Sequence, residues 1–121
     1  AAVSVGLNNT DDHLRNHGFL RRRRGWALSP AFDVNPNPEP GRRQTTIASA
    51  DAPDHQAEGL TALAEECRLS PREARVELAA VAESLSRWRA VAEGNSVRPS
   101  ELTLFEDSFG IGIDTLQRAA R

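Results

Sequence analysis

Lysine and methionine are both missing from these 121 residues, and cysteine occurs once. All 15 basic side chains are therefore arginines. Enzymes that transfer phosphoryl groups clamp the α- and β-phosphates with a lysine under a glycine-rich or equivalent loop, and this chain supplies no such lysine. Without methionine the first residue is not an initiator, and Ala1-Ala2-Val3-Ser4-Val5-Gly6-Leu7 reads as the end of an apolar helix already under way. We expect a piece of a longer protein. The lone Cys67 rules out an internal disulfide, and its place on an apolar helical stripe predicts a buried thiol in a reducing compartment. No run approaches the roughly 18 apolar residues that a membrane span needs, so no membrane partner is expected, and the expected location is the cytoplasm.

The formal net charge is only -2, which gives no global reason to expect a polyanionic partner. The charge is unevenly spread. Residues 1–50 hold seven arginines against four acidic residues, a balance of +3, and residues 51–121 hold eight against thirteen, a balance of -5. A polyanionic ligand would prefer the first half. Much of that positive charge is the run Arg21-Arg22-Arg23-Arg24. It either contacts nucleic-acid phosphates or is a solvated edge; no interleaved aromatics favour the first.

From Gln56 onward the apolar spacing is helical. Leu60, Leu63, Ala64 and Cys67 recur at one-face positions. Ser70-Pro71-Arg72-Glu73 has the form of a capping box with proline at the first helical position. Ala74, Leu78, Val81, Leu85, Trp88 and Ala92 continue one stripe to a stop at Gly94-Asn95, and we expect Trp88 in the core. Ser100 is a candidate cap for a third helix with Leu102, Phe105, Phe109, Ile113, Leu116 and Ala120 on one face. Gly110 and Gly112 cost that helix about 1 kcal/mol each relative to alanine, and either admit a neighbouring helix or mark a break.

Residues 1–50 read differently. Phe19-Leu20 and Trp26-Ala27-Leu28 flank the arginine run and Gly25, the pattern of a charged-tip hairpin. Three prolines between Val34 and Gly41 forbid regular structure, and Thr45-Thr46-Ile47-Ala48 is a candidate short strand. The hairpin brings its two ends together. At one end lies Asn8-Asn9-Thr10-Asp11-Asp12-His13-Leu14-Arg15-Asn16, and at the other Ser29-Pro30-Ala31-Phe32-Asp33. Asp11 and Asn16 have the order D-x-x-x-x-N, in which phosphoryl transferases place a proton-accepting aspartate and a metal-holding asparagine. Asp12 has one residue too few before Asn16. Asp33 offers a further oxygen ligand for Mg²⁺. The bland reading is that these side chains merely satisfy backbone groups in turns. His13 and His17 also have His-x-x-x-His spacing, although zinc or iron sites of that kind usually sit on a helix.

At Thr10-Asp11-Asp12-His13-Leu14-Arg15-Asn16 and Pro30-Ala31-Phe32-Asp33 the chain resembles the C-terminal half of HipA-type serine/threonine kinase toxins. The resemblance implies a mainly α fold, the helical C-lobe of a protein-kinase-like architecture with a short β-hairpin carrying the catalytic loop. Residues 1–50 would be the catalytic-loop and metal-binding segment and 51–121 a helical bundle, one fragmentary domain together. It implies Asp11 as catalytic base, Asn16 and Asp33 as Mg²⁺ ligands, and His13 near the ATP phosphates. The implied partners are an N-terminal lobe of the same protein, a translation-related protein substrate and a DNA-binding antitoxin, with Arg21–Arg24 as a possible DNA contact. Alone, the fragment should be inactive. Two rival readings are a non-catalytic helical interaction module derived from a kinase and a small-molecule kinase of the same fold.

Overall fold

A helix of five residues does not hold itself together in water, because nucleation costs more than so few hydrogen bonds return. In the computed structural model, which describes residues 1–121, such a helix nevertheless opens the chain: α1, Ala2–Gly6. Tertiary packing holds it. Val5 is 2% exposed and lies in one cluster with Ile47, Leu60, Leu78, Ala82 and Leu116. The architecture is mainly helical with a single two-stranded antiparallel hairpin.

Four helices follow the hairpin segment: α2 (Gln56–Glu66), α3 (Pro71–Ser86), α4 (Trp88–Gly94) and α5 (Pro99–Ala119). α5 packs against α1, α2 and α3, and its Leu116 is completely buried at their junction. Gly112 explains how α1 lies so close. A Cβ placed there would stand 2.4 Å from the Val5 carbonyl oxygen and 2.7 Å from that of Gly6. Gly110 faces open space, so the two glycines do different things.

The Ser70 capping box forms as expected. Ser70 Oγ accepts from the Glu73 backbone N–H, and Glu73 Oε2 accepts from the Ser70 N–H at 2.8 Å and the hydroxyl at 2.6 Å. These bonds stabilise the carboxylate and hold its pKa below the ordinary 4.5. The sign follows directly: a depressed folded-state pKa contributes stability above about pH 4.5 that disappears as the pH falls through the folded value. Ser70→Ala should therefore lower the melting temperature by a few degrees at neutral pH and flatten its acid-side dependence. Identical pH profiles for the two proteins below pH 5 would contradict this.

Five expectations are corrected. The stripe from Ala74 to Ala92 is not one helix, since it breaks at Arg87, where Trp88 turns to meet the Phe109 ring edge-on at 4.9 Å and Arg89 pairs with Glu106. Trp88 is half-buried rather than fully in the core. Cys67 is exposed, because α2 ends at Glu66 and the chain reverses through Arg68 at a left-handed φ of 61°. Ser100 lies inside α5, not at its cap. Pro99 forces the preceding residue to be extended, so Arg98 is the N-cap, and Glu101 accepts from its backbone N–H and its guanidinium. Thr45–Ala48 is not a strand: only Ile47 pairs, through one isolated bridge to Ala50 that closes a tight turn over Ala48 and Ser49.

Candidate functional site

β1 (Phe19–Arg22) and β2 (Gly25–Leu28) pair antiparallel, with Phe19 opposite Leu28 and Arg22 opposite Gly25. The tip is Arg23-Arg24, and Gly25 takes a φ of 138° that a side chain would resist. At the open end the Ser29 N–H donates to the Gly18 carbonyl at 2.8 Å, which prolongs the ladder by one bond. Residues before and after the hairpin therefore meet.

Asn16 and Asp33 meet there. Asn16 Nδ2 donates to Asp33 Oδ2 at 2.8 Å, although 17 residues separate them along the chain. Asn16 is buried in a short 3-10 turn, Leu14–Asn16. Asp33 has a left-handed φ of 55° and turns its carboxylate back toward that turn. Its other oxygen, Oδ1, accepts from Asn35 Nδ2 at 2.6 Å. Two amides thus orient one carboxylate. No protein donor engages Asn16 Oδ1, so the paired side chains offer a hard amide oxygen beside a hard carboxylate. This donor set suits Mg²⁺, which takes one or two carboxylates, substrate phosphates and water rather than an all-protein cage. No group of three or more His, Cys, Asp and Glu side chains with metal-site geometry exists in the chain. His13 and His17 flank the 3-10 turn instead of sharing the face of an α-helix.

Asp11 is placed differently. Its side chain is 55% exposed, its carboxylate lies 4.0 Å from His13 Nε2, and it does not line the hollow of about 210 Å³ shared by Asn16, Asp33 and Asp12. Asp12 is the anchored aspartate. It accepts from the Ser4 hydroxyl and lies 3.7 Å from His17 Nε2, with its side chain 12% exposed. Local geometry thus gives the neighbouring carboxylates separate tasks: Asp12 fastens the loop to α1, and Asp11 stands free at the surface. His13 is half-buried, and its Nδ1 is buried without a hydrogen-bond partner.

Two braces hold the loop that carries these residues. Asn8, at a left-handed φ of 50°, donates from Nδ2 to the carbonyls of Asn37 and Glu39 and so ties down the proline-rich loop. On the other side, the Gln44 N–H donates to the Thr10 carbonyl at 2.9 Å and Thr45 Oγ1 to the Asp12 carbonyl at 2.8 Å. That segment carries Arg43, only 6% exposed, whose Nε donates to the Thr45 carbonyl. Burial lowers the Arg43 pKa, and the nearby Asp12 carboxylate opposes that shift. Neither Asp12 nor Arg43 was marked as structural by its sequence. Arg43 is one of an adjacent pair with Arg42, and only the path of the backbone decides which of the two turns inward.

Comparison with protein families matches residues 1–89 to the HipA-like C-terminal domain. The matched stretch contains α1, the hairpin, the Asn16–Asp33 pair, α2 and α3, and leaves most of α4 and all of the long α5 outside. Comparisons with curated proteins and with solved structures return no match. With the family match covering well over half of the chain, and with a mainly helical body bearing one hairpin, the protein belongs to the HipA-like C-terminal domain family, part of a kinase-like fold.

Proposed function

We propose that this domain is the C-terminal lobe of an ATP- and Mg²⁺-dependent Ser/Thr protein kinase, the toxin of a bacterial toxin–antitoxin pair. The observation that carries the reading is the hydrogen-bonded approach of Asn16 to Asp33 across the hairpin. In the proposed division of work, Asp11 accepts the proton of the substrate hydroxyl, and its exposure leaves it reachable by an incoming serine or threonine. Asn16 Oδ1 and the Asp33 carboxylate hold the metal, and His13 contacts the nucleotide phosphates. When bound, the metal neutralises charge on the β- and γ-phosphates.

The absence of lysine supports an N-terminal lobe of the same protein as the source of the phosphate clamp. The hairpin supports such a partner. Phe19, Trp26 and Leu28 are 65%, 68% and 62% exposed, and an isolated two-stranded hairpin is marginal in water. Arg21–Arg24 are exposed and would offer positive charge to DNA when a DNA-binding antitoxin is bound.

The test is phosphorylation of Ser/Thr protein substrates from MgATP, with the domain joined to its nucleotide-binding lobe. Activity is expected there and not from the 121 residues alone. Phosphotransfer that survives Asp11→Asn and Asp33→Asn would refute the site assignment, and no phosphotransfer from the joined protein would favour a non-catalytic module.

A further inference from the structure

A second hollow, of about 560 Å³, is lined by Arg43, Arg15, His13, His17 and Asp12 with Ile47 and Leu63 among its apolar walls, and it shares Asp12 and His17 with the first. Asn16, Asp33 and Asp11 do not line it. Arg43 is the unusual member. The residue is only 6% exposed and its one hydrogen bond comes from Nε, yet its terminal nitrogens have no acceptor in the protein and stay open to the hollow. Asp12 acts on it through space without forming an ion pair, and that carboxylate is already engaged by Ser4 and His17. A second buried group points the same way, since His13 Nδ1 has no partner. Arg43 and Arg15 against the one carboxylate of Asp12 leave the hollow with a surplus of positive charge. A planar guanidinium fork with both ends free matches the oxygens of a phosphate.

We propose that this hollow binds the oxyanion of a phosphate monoester, with Arg43 as the principal contact and Arg15 at its rim. The volume exceeds that of a bare phosphate, and the apolar walls suit a ligand that carries the phosphoryl group on a larger body. Two sources have this chemistry, a phosphorylated serine or threonine side chain and a free phosphate ester such as a nucleotide. The site requires neither the metal pair nor Asp11; it shares His13 with the proposed nucleotide contact, while Arg43 and Arg15, the residues tested below, belong to it alone.

The experiment follows the arginine Nε–Hε resonances of the 121-residue chain as inorganic phosphate replaces chloride at constant ionic strength. A saturable shift of the Arg43 resonance is expected. Arg43→Gln should weaken the apparent affinity about tenfold or more. Because Arg43 is buried, exposed Arg15→Gln provides the second arm, with an expected weakening of about threefold and an unchanged melting temperature. Tighter binding of a phosphoserine peptide than its unphosphorylated form assigns a protein-borne ligand, and preference for ADP over that peptide assigns a free one; either supports the site. No shift at Arg43, or binding indifferent to both substitutions, overturns it, whether or not Arg43→Gln folds.

Discussion

Gly112→Ala is expected to lower the melting temperature by roughly 5–10 °C, and Gly110→Ala, two residues earlier in the same helix, to raise it by a few degrees. The opposite signs come from what each new methyl group would meet. At Gly112 it would press on the main-chain oxygens of Val5 and Gly6, at 2.4 and 2.7 Å, and backbone cannot swing aside as a flexible side chain can. α1 must then move off α5. Overpacking of this kind costs about 1–3 kcal/mol, and more where backbone is the obstacle. At Gly110 nothing lies within 4 Å, so only the helix propensity gain of about 1 kcal/mol remains. Both substitutions restrict the unfolded chain equally, so that contribution cancels in the comparison. The displacement should also reach the functional loop. The Asn9 N–H donates to the Ser4 carbonyl at 2.8 Å, directly after α1, and its hydrogen exchange should accelerate in Gly112→Ala alone. Equal shifts of melting temperature in the two variants would show that α1 does not sit against Gly112 in solution.

Asp33→Asn is expected to leave the domain folded while phosphotransfer by the complete kinase falls by about 10²-fold or more and its Mg²⁺ requirement rises. Asparagine is the informative replacement for two reasons. It tolerates the left-handed φ of 55° nearly as well as glycine does, and its amide oxygen still accepts from Asn16 Nδ2. The negative charge and one hard oxygen are lost, and with that oxygen the hydrogen bond from Asn35 Nδ2. Asp11→Asn should instead lower kcat by about 10²–10⁴-fold, the usual contribution of a general base, with the Mg²⁺ requirement little changed. Its exposed side chain makes a loss of stability implausible as the cause, and a melting temperature within about 1 °C of the parent would establish that. Should Asp33→Asn respond to Mg²⁺ as the parent does, residue 33 is not a ligand and its contact with Asn16 is only structural.

Much of the secondary structure is legible in the residue order because its causes are local. Ser70, Pro71 and Glu73 lie within four positions and satisfy one another's groups, so the start of α3 is written in the sequence. The hairpin is equally local, with apolar segments on either side of an arginine tip and glycine where φ is positive. The break at Arg87 has no proline or glycine to announce it. It accompanies the contact of Trp88 with Phe109, 21 residues away, and is a tertiary event. Cys67 fits a helical stripe by spacing yet faces solvent, because periodicity identifies a face and not where the helix ends.

By itself the sequence determined the start of α3, the hairpin and the candidate set Asp11, Asn16 and Asp33, since capping, strand pairing across a short turn and residue chemistry all act over a few positions. The approach of Asn16 to Asp33 follows from the hairpin, and the structure adds the hydrogen bond that joins them; the tertiary structure alone decided that Asp12 is anchored while Asp11 stands free, and that Arg43 is buried without a partner for its terminal nitrogens. Those outcomes depend on where distant backbone segments run, and burial, hydrogen bonding and electrostatic compensation are properties of that arrangement rather than of any single stretch of chain.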